Sequence, residues 1–267
     1  MKNILVLADD DSGREARLQA ALDLGRATGG HVRLLSLAAL YHFPDDTGGA
    51  MSALLFKDER ERINAERARI EPRLADEEVG FDFIEAAGDA ATELIRASEL
   101  ADLIVVNRAL DDSRDGGDLR ALTERVILKS GRPVLAVPQR PLGIDFLGEA
   151  MVAWDGSAQA SAALRAAVPL LTLAGGVRLV EVDDGSLATP ATEAATYLSR
   201  HGVHAEIDRR PAVDASAGYI LLQAIEALRP SYLVMGAYGR SRLSEALFGG
   251  VSRRMLEECP IPLFLAH

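Results

Sequence analysis

The chain opens on a short continuous apolar run, Ile4-Leu5-Val6-Leu7-Ala8, that stops abruptly at Asp9-Asp10-Asp11. An alanine- and leucine-rich stretch then runs to Thr28, Gly29-Gly30 follows, and a second apolar run extends from Val32 to Leu37. Continuous apolar runs of this length fit strands buried on both faces, whereas the periodic stretch between them fits a helix. The order is β-α-β. It returns further along: Met151-Val152-Ala153-Trp154, then Asp155-Gly156-Ser157, a helical stretch to Ala174, Gly175-Gly176, and Val177 to Val182. A shift of 146 residues (155 − 9) lays Asp9 on Asp155 and Gly29-Gly30 on Gly175-Gly176.

The ends of the two halves match as well. A shift of 129 residues (231 − 102), without a gap, lays Asp102-Leu103-Ile104-Val105-Val106 on Ser231-Tyr232-Leu233-Val234-Met235. The same shift lays Pro133-Val134-Leu135-Ala136-Val137 on Pro262-Leu263-Phe264-Leu265-Ala266. Each half reads β-α-β-α-β-α-β or nearly so, its last strand following a short helix. A repeat at this period means duplicated domains rather than a solenoid. The expected units are residues 1–140 and 148–267, joined by a linker from Arg140 to Gly148 that contains Pro141 and Gly143. The halves differ after the second strand, where the first predicts a long charged helix over Leu55 to Glu78 and the second only a short one over Thr192 to His201. The run Lys57-Asp58-Glu59-Arg60-Glu61-Arg62 fits a solvated helix face.

At 267 residues, each half is long enough to bury its own core. Hydrophobic residues make up 48% and charged ones 26%, and the mean hydropathy is +0.07, as in ordinary soluble domains. Aromatics at 5% favour helices packed on a sheet over a β-sandwich. A net charge of −11 argues against a nucleic-acid or anionic-membrane surface. The single cysteine, Cys259, permits no disulfide within the chain and no thiolate zinc site, and a cytoplasmic location is expected. The opening MKNILVLADD lacks a signal-peptide pattern, and no apolar run approaches the roughly 20 residues of a membrane span.

The stretch that bears on chemistry runs from Met235 to Ser252. It begins where the apolar run Tyr232 to Met235 ends, and ligands of doubly wound sheets bind beyond the carboxyl ends of the strands. Gly236 and Gly239 lack Cβ and let backbone approach a ligand closely. Gly249-Gly250 opens a helix over Val251 to Glu257, whose free N–H groups and dipole suit a phosphate. Ser252 offers a hydroxyl, and Arg240 and Arg242 offer positive charge. Asp155, across the crevice, can accept hydrogen bonds from ribose hydroxyls. Neither GxxxxGK[ST] nor GxGxxG is present, and glycine spacing alone leaves nucleotide binding and simple turn-making equally open.

The pattern Gly236-x2-Gly239-x9-Gly249-Gly250-Val251-Ser252, with Asp155-Gly156-Ser157 after the first strand, resembles the nucleotide-binding branch of the universal stress protein family. Its motif is G-x2-G-x9-G-[S/T], and the resemblance covers both halves. It implies a tandem pair of five-stranded parallel α/β domains, Rossmann-like and akin to the adenine nucleotide alpha hydrolases, each with strand order 3-2-1-4-5. It also implies binding of ATP or another adenine nucleotide, with Mg2+ held mainly by the phosphates. Carried over by position, Asp155 would hold ribose and the Val182 backbone would meet adenine. Gly236, Gly239, Gly249, Gly250, Val251 and Ser252 would line the phosphates, and Met235 and Arg240 complete the expected nucleotide site. Gly250 departs from the motif, which has Ser or Thr there. The first half lacks the glycines: Asn107, Leu110, Arg120 and Ala121 stand at the places of Gly236, Gly239, Gly249 and Gly250, and Asp111 and Asp112 replace Arg240 and Ser241. That half is expected to be nucleotide-silent.

His201 and His204 fit a surface loop better than a metal site, and Cys259 fits a small buried hydrophobe. The leading expectation is a regulatory nucleotide-binding protein of the stress response, acting on an unidentified protein partner. A slow ATPase or nucleotidyl transferase and a scaffold without nucleotide are the alternatives, and no residue stands out as a general base. The last strands of the two halves, short and apolar, are expected to pack together as a pseudo-dimer; a homodimer of tandem chains is secondary.

Overall fold

The apolar runs of the first half become strands in the computed structural model, which describes residues 1–38, 48–108, 116–140, 143–183, 187, 189–212, 215–239 and 250–267, except for the side chains of 48–56 and 116–119. The order is β1 (Asn3–Leu7), α1 (Arg14–Thr28), β2 (His31–Ala38), α2 (Gly48–Ala75), β3 (Gly80–Ala87), α3 (Ala90–Ala97), β4 (Leu103–Asn107), α4 (Gly116–Lys129) and β5 (Val134–Val137). The second half repeats it as β6 (Glu149–Trp154), α5 (Ala158–Leu171), β7 (Gly176–Asp183), α6 (Ala191–Arg200), β8 (Ala205–Pro211), α7 (Ala217–Leu228), β9 (Tyr232–Gly236), α8 (Gly250–Glu258) and β10 (Leu263–Ala266).

Each half thus contains a fifth strand that no apolar run announces. Strands β3 and β8 are the outer edges of the sheet, and their residues are only half-buried, so their sequences carry charges where β1, β4, β5, β9 and β10 carry none. Two helices also differ from expectation. Helix α2 spans Gly48–Ala75 rather than Leu55 to Glu78 and runs through Pro72, while α5 stops at Leu171 rather than Ala174.

All ten strands join one sheet in the order β3-β2-β1-β4-β5-β10-β9-β6-β7-β8. Pairings within each half are parallel, and the order 3-2-1-4-5 is present twice. The halves meet through their last strands, which pair antiparallel with Leu263 opposite Ala136, Phe264 opposite Leu135 and Leu265 opposite Val134. This pairing closes what would otherwise be two open apolar edges.

Alternate residues of each strand feed opposite cores, as the pleat requires. Ile4, Val6, Val152 and Val234 pack with α1, α2, α5 and α6 on one face. Leu5, Leu7, Met151 and Leu233 pack with α3, α4, α7 and α8 on the other. With both faces covered, continuous apolar strands are what the sequence must supply. Among the described residues, no helix is long and apolar enough to cross a membrane.

Candidate functional site

Strand order reverses between β6 and β9, so a crevice forms outside their carboxyl ends. Asp155 follows β6 directly, and its Oδ1 accepts the Ser157 N–H at 3.0 Å. Ser157 in turn caps α5, its hydroxyl accepting the Ala160 N–H at 3.1 Å. On the neighbouring strand, Val182 is buried near the end of β7. Trp154 donates its Nε1–H to the Thr189 carbonyl at 2.8 Å, tying the segment after β7 back to β6.

Gly236 ends β9, and its lack of a side chain has a definite packing reason. A Cβ there would lie 2.4 Å from the Ala160 nitrogen and 2.5 Å from the Gln159 carbonyl carbon. Glycine therefore lets the first turn of α5 close against the strand end. At Gly239 a Cβ would meet only the end of the Gln159 side chain, at 2.8 Å. Among the described residues of this loop the left-handed one is neither glycine but Tyr238, with φ of 56°. That conformation costs a non-glycine residue roughly 1–2 kcal/mol, so the surroundings must hold it.

Those surroundings are identifiable. The Tyr238 N–H donates to Ser252 Oγ at 3.0 Å, and the Ala237 N–H donates to the Ala266 carbonyl at 2.9 Å. Ser252, expected from the motif to lie beside phosphates, is buried and acts as the acceptor that fastens Tyr238 to α8. Its own proton stays available for a further bond. Gly250 is the first residue of α8 and is exposed; a Cβ there would meet nothing within 4 Å. Met235 is buried within β9, and Val251 is partly buried in the first turn of α8. Arg240, Arg242 and Gly249 lie outside the described residues.

The matching crevice of the first half is filled. Pairing register fixes the equivalence, because Ile4 lies opposite Leu103 as Ala150 lies opposite Tyr232. The offsets are again 146 (150 − 4) and 129 (232 − 103). They put Arg17 at the place of Ala163, and both residues are fully buried. Arg17 Nε donates to the Leu7 carbonyl at 2.8 Å, Nη1 to Asp11 Oδ1 at 2.8 Å, and Nη2 to the Asp9 carbonyl at 3.0 Å. Its Nη1 also donates to Asn107 Oδ1, and Asn107 Nδ2 reaches the Gly13 carbonyl at 3.3 Å. Asn107 stands at the place of Gly236. Here the helix side gives way instead, since a Cβ on Gly13 would lie 2.3 Å from Asn107 Oδ1.

Asp9, at the place of Asp155, accepts the Leu37 N–H at 3.1 Å. Burial pushes its pKa above the ordinary carboxylate value, although the Leu37 bond and the Arg17 and Arg62 charges oppose the shift. Helix α2 covers the mouth: Arg14 pairs with Asp10 at 2.5 Å and with Glu66, and Arg62 donates to the Leu37 carbonyl at 3.2 Å. Asp111, Asp112 and Leu110 lie outside the described residues. Arg120 turns to the other half, its Nη1 2.7 Å from Glu257 Oε1.

The remaining candidates have structural partners. His201 packs against Tyr197, the rings tilted by 50° with centroids 4.7 Å apart. Cys259 is fully buried, and burial pushes its thiol up to about 11, which leaves it protonated and inert at neutral pH.

The model of the universal stress protein family matches residues 1–138 and 212–267, leaving β6 to β8 between the two matched regions. No curated protein matches the chain in sequence. A universal stress protein from Archaeoglobus fulgidus DSM 4304 is similar in structure, with a TM-score of 0.78 at 18% identity, over 99% of this chain and 96% of that one. A putative universal stress protein from Pseudomonas aeruginosa UCBPP-PA14 reaches a TM-score of 0.62 at 18% identity, over 100% of this chain and 93% of that one. A universal stress protein solved in complex with cAMP is similar over 46% of this chain and 99% of its own, at 18% identity and a TM-score of 0.36, too low to bear on the site. Identities this low show the fold alone. The family model spans most of the chain and falls on both halves of the duplicated sheet, so the chain belongs to the universal stress protein family.

Proposed function

We propose that the chain is a regulatory protein of the stress response that binds one adenine nucleotide, ATP or a relative, in its second half. The observation that carries this reading is the contrast between the two crevices. Where the first half buries the Arg17 guanidinium and the Asn107 amide, the second has Ala163 and Gly236. Gly236 keeps side chains away from the strand end, and open space at Gly250 leaves room beside the amino terminus of α8. Its free N–H groups suit a phosphate, and Asp155 supplies an acceptor for ribose hydroxyls. The Val182 backbone is suited to meet the base. Mg2+ would be held chiefly by the phosphates.

Calorimetric titration with ATP tests the reading. The expected result is one site per chain, lost in Gly239→Val, whose added branches enter the crevice beside Gln159. Because a side chain at Gly250 meets open space, Gly250→Ser restores the motif hydroxyl without strain and should tighten binding. Two equivalent sites, or none, would overturn the proposal.

A further inference from the structure

The first half reaches across the β5–β10 seam to both parts of the second-half loop. Arg108 follows β4 and stands at the place of Ala237 (108 + 129). Its Nη1 donates to the carbonyls of Leu256 at 3.1 Å and Glu257 at 2.5 Å. These are the last-turn carbonyls of α8, where a cation satisfies free acceptors and complements the helix dipole. Arg120 of α4 adds the ion pair to Glu257 at the same end. Helix α8 has nine residues, so a grip on its last turn fixes where its first turn, Gly250 to Ser252, sits.

The second contact is at Tyr238, between the two loop glycines. Its phenol is buried and makes no hydrogen bond of normal geometry. The carboxylate of Glu124 on α4 acts on this phenol, and burial together with that carboxylate pushes it well above its ordinary pKa against the opposing charges of Arg120 and Arg253. Tyr238 is also the residue held at a φ of 56°. A strained backbone persists only where its neighbours determine it, and here one neighbour is the opposite half. The ring of Tyr238 thus belongs to the seam while its N–H holds Ser252.

We infer that the first half, through Arg108, Arg120 and Glu124, preorganises Tyr238 and helix α8 of the second half, so that nucleotide affinity is set across the seam. This rests on the nucleotide-binding reading above. A half that binds no nucleotide then has a function: it holds the binding-competent loop conformation, and whatever disturbs the seam changes occupancy. Coupling of this kind is reciprocal, so nucleotide must also tighten the seam.

The test uses the full chain. ATP affinity is measured by calorimetry for the wild type, Arg108→Ala and Glu124→Ala, none of these side chains lying in the nucleotide crevice. The expected result is that each variant binds ATP about fivefold more weakly, the lower end of typical coupling. Hydrogen exchange of the wild type with and without ATP requires no variant. ATP should slow exchange at residues 120–129 of α4, and Gly239→Val should remove that protection. Unchanged affinity in Arg108→Ala and Glu124→Ala, or unchanged exchange in α4 on ATP binding, would overturn the inference and leave the nucleotide site standing. A wild type that binds no ATP would remove both, and it is seen before any variant is made.

Discussion

The crevices at the ends of β1 and β6 share strand order and register yet are filled in opposite ways. In the first half the strand end carries Asn107, the helix start gives way at Gly13, and Arg17 occupies the space between. In the second half the strand end gives way at Gly236, the helix start carries Gln159, and Ala163 leaves the space unfilled by charge. Each pair is complementary within itself and incompatible with the other. Duplication preserved the sheet and exchanged which element yields. The two crevices therefore differ by a few side chains on a common backbone, and α2, which the short α6 cannot mimic, covers the filled one.

Removing Arg17 is the largest perturbation this comparison offers. Its guanidinium is the shared partner of Asp11, Asn107 and two backbone carbonyls in a fully buried place. Arg17→Ala should cost about 2–4 kcal/mol, because it strands the buried Asn107 amide and leaves the partly buried Asp11 carboxylate without its cation. Urea unfolding measures this, and a loss below about 1 kcal/mol would mean that the network contributes little to the first half.

The exchange of yielding elements predicts a coupled pair. Gly236→Asn should destabilise by about 1–3 kcal/mol through overpacking against Gln159 and Ala160. Adding Gln159→Gly, which imitates Gly13, should recover part of that loss. Strict additivity in a double-mutant cycle would show that the two positions do not face each other.

The smallest effect concerns Asp9. Its pKa in the fold lies above the ordinary 3.8, so the folded state holds the proton more tightly than the unfolded state does. The charged form therefore weakens the fold at neutral pH. That penalty fades as pH falls through the raised pKa and is absent once both states are protonated. Asp9→Asn should be the more stable protein at pH 7, with the difference from wild type closing on acidification. A gap that widens on acidification would reverse the assignment of burial as the dominant cause.

Much of this architecture is legible in the residues. The apolar runs from Ile4 and Met151 announce the central strands, because burial on both faces demands continuous hydrophobicity. Asp9 and Asp155, Gly29-Gly30 and Gly175-Gly176 mark the duplication, and a chain duplicated on a doubly wound pattern has few ways to fold. The glycines between Gly236 and Gly250 stand out in the sequence as a constellation, although spacing alone does not separate ligand approach from turn-making. The edge strands β3 and β8 are not visible as apolar runs, since one open side relieves them of the apolar requirement.

What the sequence leaves open, only three-dimensional proximity decides. Arg17 is one arginine among several on an amphipathic stretch, and nothing local says that it is fully buried beside Asn107, ninety residues away. Gly236 has the look of a ligand-approach glycine, and its immediate reason is the approach of α5. Tyr238 gives no local sign of a left-handed backbone, and its N–H is held by Ser252, fourteen residues away. Hydrophobic periodicity fixes which faces are buried, because burial is a property of each segment and its solvent. Which polar groups meet inside a crevice depends on pairs distant in the chain, and that information exists only once the sheet has closed.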